Sequence, residues 1–300
     1  MELQKYLQVQ TQREMRRLMR SMSNLILSRR KFITAGVGFA AGACLMGCGA
    51  NTQASPATTS VASANDTANA NANPTAGDGY QALPWAYEPI DPEVVRKRGY
   101  ENYFEGACCY AAGKALIDTI KEQVGGPWGT LPPEMLKYGR GGAVGWGTLC
   151  GALNGSLLVM NLVAGDDVTK LGDELIGWYT MFPFPTTAMD SYAKFPNQVT
   201  TVAGSPLCHI SVSLWANAAN AKINSDEKAD RCAKVTGDTA AQAAMILNDW
   251  KAGKFTPTYA PGSEFASCLT CHNGSKSVLD NEQGKMNCTA CHTDKLTGHP

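Results

Sequence analysis

Residues 138–165 read YGRGGAVGWGTLCGALNGSLLVMNLVAG. The first half is dense in glycine and carries one cysteine, Cys150; the second runs through Leu, Val and Met with only small or amide residues between them. An apolar run of that length, closed by Gly165, is too long for a strand and reads as a buried helix from about Thr148 to Val163. A buried helix needs other helices around it, and the flanking sequence supplies them. Upstream, Asp91-Pro92 is an N-cap followed by proline at the first helical position. Tyr103 to Val124 continues as helix until Gly125-Gly126-Pro127 breaks it. Downstream, Asp166–Met181, a segment opened by Ser205-Pro206 and running to Ala221, and Asp238–Trp250 are further helices. No strand-like alternation competes over any comparable length. The expected fold is therefore all-α: a helical bundle over residues 83–260, followed by a short irregular segment, 261–300, with little apolar content to fold on.

The N-terminal third has a different character. Ser28-Arg29-Arg30-Lys31-Phe32-Ile33 followed by a mild, Gly-rich apolar run to Gly47 is too short for a membrane span and reads as a signal peptide of the twin-arginine type. Leu45-Met46-Gly47-Cys48 has the form of a lipobox, which would leave a lipidated Cys48 as the mature N-terminus and a membrane tether. Residues 1–47 are thus expected to be removed, and the long stretch before Ser28 leaves Met22 as an alternative start. Residues 48–82, rich in Ala, Asn, Thr and Ser, cannot bury a core and are expected to be a disordered tether. Residues 1–47 hold eight Lys/Arg and two acids, so the remainder carries 18 basic and 24 acidic residues. A mildly acidic body argues against nucleic acid as a partner. The expected location is the periplasmic side of a bacterial cell.

Eleven cysteines and four histidines are distributed in a pattern that carries chemistry. Cys268-Leu269-Thr270-Cys271-His272 and Cys288-Thr289-Ala290-Cys291-His292 are two C-x-x-C-H motifs. In that motif two thiols form thioethers with haem vinyl groups and the adjacent histidine ligates the iron. The composition would produce roughly 0.005 such motifs by chance. Paired zinc ligands would not require a histidine after each pair, and disulfide exchange usually employs one C-x-x-C in an α/β fold. The expected cofactors are two covalently attached haem c groups, with His272 and His292 as proximal iron ligands. Only sixteen residues separate Cys271 from Cys288, which predicts closely spaced haems. His209 and His299 are the two histidines left, and both are candidate distal ligands, from the same chain or a partner subunit; Met286 sits too close to the second motif to swing over it.

The cysteines of the body lie in GACCYAAGKAL, TLCGALNG, SPLCHISVSLW and RCAKVTGDTAAQAAMIL. This ordered series resembles the C-GCAxxG-C-C family and its haem-bearing branch, the split-Soret cytochromes c, over about residues 90–300. Cys108-Cys109 stands where the family pattern has Gly-Cys-Ala, and Cys109 is taken as the match. The resemblance implies an iron–sulfur cluster in the helical domain, a homodimer, and stacked haems. Its ligand positions here are Cys109, Cys150, Cys208 and Cys232, and [2Fe–2S] is favoured. The residues themselves allow that reading, since four thiolates are the standard ligand set. They equally allow disulfides or buried free thiols. Export by the twin-arginine route, which carries folded proteins, suits a cofactor assembled before export. Cys208 falls in the first turn of its helix, where the dipole favours a thiolate, and His209 points about 100° away. That helix could stand between cluster and haem. The expected function is electron transfer to a redox partner protein. The alternative is a redox enzyme in which an open haem position reduces a small oxyanion or nitrogen oxide.

Overall fold

The computed structural model describes residues 81–259, 268, 270–272 and 285–286. The expected signal segment with Arg29, Arg30 and Cys48, nearly all of the tether, and Cys288, Cys291, His292 and His299 lie outside the described residues.

The body is all-α, built from five helices: α1 (Pro92–Val124), α2 (Gly151–Ala164), α3 (Val168–Met181), α4 (Cys208–Ala219) and α5 (Asp226–Lys251). Short 3-10 turns join α1 to α2, and a two-residue antiparallel ribbon, β1 (Pro183–Phe184) with β2 (Thr201–Val202), lies between α3 and α4. α1 opens as its sequence dictates: the Asp91 side chain accepts from Glu93 N–H at 2.8 Å and Pro92 takes the first helical position. It ends at Gly125, whose φ of 62° stops the helix.

α1 packs along α5, and α2 lies against both. The α1–α5 crossing is close enough that a Cβ on Gly99 would stand 2.9 Å from Gly237 Cα. Leu116, Ile120, Leu153, Met160, Leu171 and Leu175 are buried in the resulting core, with Trp128 beneath them. Each such side chain contributes about 1.5–3 kcal/mol by leaving water. Trp128 also donates its indole N–H to the carbonyl of Ala86 at 2.9 Å and meets Trp85 edge-on.

α5 starts at Asp226, well before the Asp238 expected from its apolar pattern. The missed half contains Asp230, Arg231 and Lys234, all buried. Polar residues at those positions erase the helical periodicity, yet two of them are paired inside. Asp230 accepts from the Tyr100 hydroxyl at 2.5 Å and from Lys194 N–H at 3.0 Å. The Lys234 ammonium reaches Asp190 at 2.5 Å and the Phe195 carbonyl at 2.7 Å. These bonds staple the 185–197 connection to the bundle.

The chain leaving α5 is tied to α3. Glu174 accepts from Thr258 N–H at 2.8 Å, from Tyr259 N–H at 2.9 Å and from the Thr258 hydroxyl, while Lys285 pairs with Asp173 at 2.6 Å. These contacts bring Thr258, Tyr259 and Lys285 onto the helical body.

Candidate metal centre

α1 is broken in its middle. Ala107 has φ 63° and ψ −172°, a conformation nearly confined to glycine and costing of order 1–3 kcal/mol elsewhere. The break resets the helical phase just before Cys108. Beyond it, Cys108 faces a cavity together with Cys150, Cys208 and Cys232. Cys109, which the sequence reading placed in that set, is fully buried but turns to Gly139, whose backbone N–H meets its thiol. Adjacent residues on a helix point about 100° apart, so only one of the pair can face the cavity. The structure brings Cys108 into the ring and leaves Cys109 outside it.

The next two cysteines are held by backbone. Leu149 and Leu207 form an antiparallel bridge, with Cys150 N–H donating to Pro206 O at 2.9 Å and Cys208 N–H to Thr148 O at 2.7 Å. This short ladder aligns the start of α2 with the start of α4 and puts both cysteines on one wall. The glycine-rich loop before α2 folds back on itself, with Gly147 N–H donating to Gly141 O at 2.9 Å and Thr148 N–H to Gly142 O at 3.1 Å. Glycine at 151 is required by close packing. A Cβ there would collide with Cys108 Sγ and stand 2.7 Å from the Gly139 carbonyl oxygen. Cys232, on α5, closes the ring.

The cavity has a volume of about 310 Å³, and the four thiols share its wall with Tyr103, Tyr179, Arg140, Lys228 and Arg231. Burial is the main cause raising the thiol of Cys108 well above its usual range, with Cys150, Cys232 and Cys208 adding to it and Gly141 N–H opposing. Burial likewise pushes Cys208 up to about 12, helped by Cys150 and Cys232 and opposed by Arg231 and Lys228. Cys150 is raised by burial, while the Tyr179 hydroxyl and Ala152 N–H donate to its sulfur and pull the other way. Tyr103 hydrogen-bonds Cys232, and its own phenol is raised chiefly by burial. Without a cation the thiols of Cys108, Cys150 and Cys208 hold their protons at neutral pH; a metal centre would displace them.

The residues fit such a group. Arg231 is 2 % exposed, donates to Ser211 Oγ at 2.8 Å, and its Nε has no hydrogen-bond partner among the described residues. A buried guanidinium left without an acid needs negative charge beside it, and thiolates supply it. Among the described residues no three His, Cys, Asp or Glu side chains converge tightly; the four thiols line the cavity wall, and four thiolates are the standard ligand set of an iron–sulfur group. Arg231, Tyr103 and Tyr179 were missed from sequence. Arg231 stands next to Cys232 in the chain, but nothing in that dipeptide says the arginine is buried.

The first C-x-x-C-H motif forms a helical turn, with His272 N–H donating to Cys268 O at 3.0 Å and Cys271 N–H to the same oxygen at 3.3 Å. Cys268 is half-buried, and Cys271 and His272 are exposed. Sulfurs three residues apart lie on one face of such a turn, as attachment to a single macrocycle needs. His209 is exposed and does not line the cavity that Cys208 faces. Its backbone N–H donates to Gly147 O at 3.0 Å. Met286, exposed like Met181, borders a second cavity between α3 and the 202–206 segment.

Residues 107–246 match the C_GCAxxG_C_C family, whose description is of a redox-active protein. The chain is 29% identical over 293 residues to split-Soret cytochrome c from Desulfovibrio desulfuricans (strain ATCC 27774 / DSM 6949 / MB), covering 91% of this chain and 99% of that protein. It also superposes on a solved structure described as a novel iron centre in the split-Soret cytochrome c from the same organism. That match has a TM-score of 0.66 and 29% identity, covering 72% of this chain and 95% of the other.

Proposed function

We propose, from the premise that the chain belongs to the C_GCAxxG_C_C family and is similar to split-Soret cytochrome c, that it is an exported electron-transfer cytochrome with two kinds of iron centre. In this reading Cys268, Cys271 and His272 hold one haem c, and Cys288, Cys291 and His292 a second. His209 and His299 serve as distal ligands. Cys108, Cys150, Cys208 and Cys232 hold an iron–sulfur cluster in the helical body, with Cys108 in place of Cys109.

The observation that carries the reading is the convergence of four cysteines from four separate segments on one cavity that also buries an unpaired arginine. Disulfides would consume the thiols in pairs and leave Arg231 without a counter-charge. Iron–sulfur and haem centres supply one-electron chemistry whose potential is set by ligands, burial, charge and hydrogen bonds to sulfur. The residues of this chain supply those controls: Gly141 N–H, Ala152 N–H and the Tyr103 and Tyr179 hydroxyls meet the cysteine sulfurs. Twin-arginine export, lipid attachment at Cys48, a homodimer and a redox partner protein complete the proposal. The twin arginines, the lipobox and the family resemblance support them.

The test is total iron per covalently bound haem in protein matured by an export-competent, haem-attaching host. A ratio of about two corresponds to a [2Fe–2S] group beside two haems, and about three to [4Fe–4S]. A ratio of about one would sink the cluster and leave a dihaem carrier.

A further inference from the structure

The wall of the cysteine cavity has an uneven charge. Arg140, Lys228 and Arg231 line it, and no aspartate or glutamate does. Elsewhere in the described body Arg96, Arg98, Lys114, Lys234 and Lys251 each reach a carboxylate, while Lys137, Lys222 and Lys254 do not. The three cavity cations reach none within ion-pair distance among the described residues. Their charge is felt at the sulfurs, since Arg231 opposes the upward shift of Cys150 and Cys208, and Lys228 that of Cys208. Arg231 is the most committed of the three, being buried with its guanidinium anchored on Ser211. The Ser211 hydroxyl, 3.1 Å from that of Tyr179, donates to it, and Tyr179 donates its own proton to Cys150.

We infer that Arg231, backed by Lys228 and Arg140, is a positioning residue that stabilises the electron-rich state of the four-cysteine centre and so raises its reduction potential. The inference rests on the cluster proposed above. A four-thiolate iron–sulfur group of either common type is formally a dianion and gains one negative charge on taking one electron. Three cations exceed the dianion and match the trianion, so the wall favours reduction without a proton being taken up. Burial strengthens the effect at Arg231, because little water lies between it and the sulfurs. The rim cations Lys228 and Arg140, which are half-buried and exposed, are screened and act more weakly. The Tyr179–Ser211–Arg231 chain fixes where the guanidinium sits.

The experiment is a redox titration, followed by electron paramagnetic resonance, of the full haem-bearing chain carrying Arg231→Gln, Arg231→Lys, or Lys228→Gln with Arg140→Gln. Iron and haem content are measured first on the unsubstituted protein. No iron beyond haem there defeats the cluster reading itself, separately from this inference. With the cluster present, Arg231→Gln is expected to shift its reduction equilibrium at least tenfold toward the oxidised state, which for one electron is about 59 mV more negative. Arg231→Lys should recover most of that shift, and the rim pair should move the equilibrium about threefold in the same direction. A merely structural arginine would change iron content and leave the potential of the surviving centres unmoved. An unchanged potential in Arg231→Gln overturns the inference. Should that variant lose its iron, the rim pair decides: a negative shift supports the role of the cations, and no shift overturns it.

Discussion

Replacing the two adjacent cysteines one at a time separates the geometry of the cavity from the sequence pattern. Cys108 lines the cavity with Cys150, Cys208 and Cys232, whereas Cys109 is buried against Gly139. Cys108→Ala removes one of four proposed ligands. An iron–sulfur group loses assembly with an incomplete thiolate set, so total iron per covalent haem should fall from about two to about one. Cys109→Ala removes only a buried sulfur from packed surroundings and should cost about 1–2 kcal/mol. For a body of this size that is about 2–8 °C in melting temperature, with the iron ratio unchanged. The assay is elemental iron against haem measured as its pyridine complex, with melting followed by circular dichroism. The reasoning is refuted if Cys109→Ala loses the extra iron and Cys108→Ala keeps it, because the helical break at Ala107 would then not set which sulfur faces the cavity.

Other expectations follow from neighbouring contacts. Gly151→Ala forces a methyl group against Cys108 Sγ and the Gly139 carbonyl; overpacking of about 1–3 kcal/mol and reduced iron occupancy are expected, read by thermal melting and iron analysis. In iron-free protein the buried thiols have folded-state pKa values raised above the ordinary 9.0, so the folded body holds protons that the unfolded chain gives up. Its stability should be fully present below pH 9 and decline as pH rises further; iron-loaded protein lacks the thiol share and should decline less, through its buried tyrosines, as urea midpoints at pH 7 and pH 10 check. Burial raises the Glu174 carboxyl, but hydrogen bonds from Thr258 and Tyr259 outweigh it and hold the pKa below its ordinary 4.5. The tie between α3 and the chain after α5 is therefore present above that value and lost as pH falls through the folded one. Glu174→Gln should weaken it at neutral pH by about 2 kcal/mol, seen as faster proteolytic cleavage near residue 258. Tyr179→Phe removes the donor to Cys150 and should lower the potential of the iron–sulfur group with little loss of iron, measured by redox titration.

The all-α class was legible because it depends on local pattern. ALNGSLLVMNLVAG is apolar along its whole length, Asp91-Pro92 caps a helix wherever it stands, and Gly125 ends one. The family resemblance was legible too, carried by the ordered spacing of cysteines and by TLCGALNG. The C-x-x-C-H pairs are local chemistry and need no fold to be seen.

Three things could be read only from the tertiary structure. The first half of α5 hides because Asp230 and Lys234 are buried with partners, Tyr100, Asp190 and the 194–195 backbone, that lie far away in the chain. The choice of Cys108 over Cys109 rests on a single residue, Ala107, whose left-handed φ no propensity would place inside a helix. The role of Arg231 depends on which charges surround it once four chain segments meet. Periodicity and capping act between residues within a turn or two of each other, so sequence alone determines them. The facing of a side chain into a shared cavity, and the absence of a counter-charge beside it, are set by contacts across the fold and exist only when the chain has closed on itself.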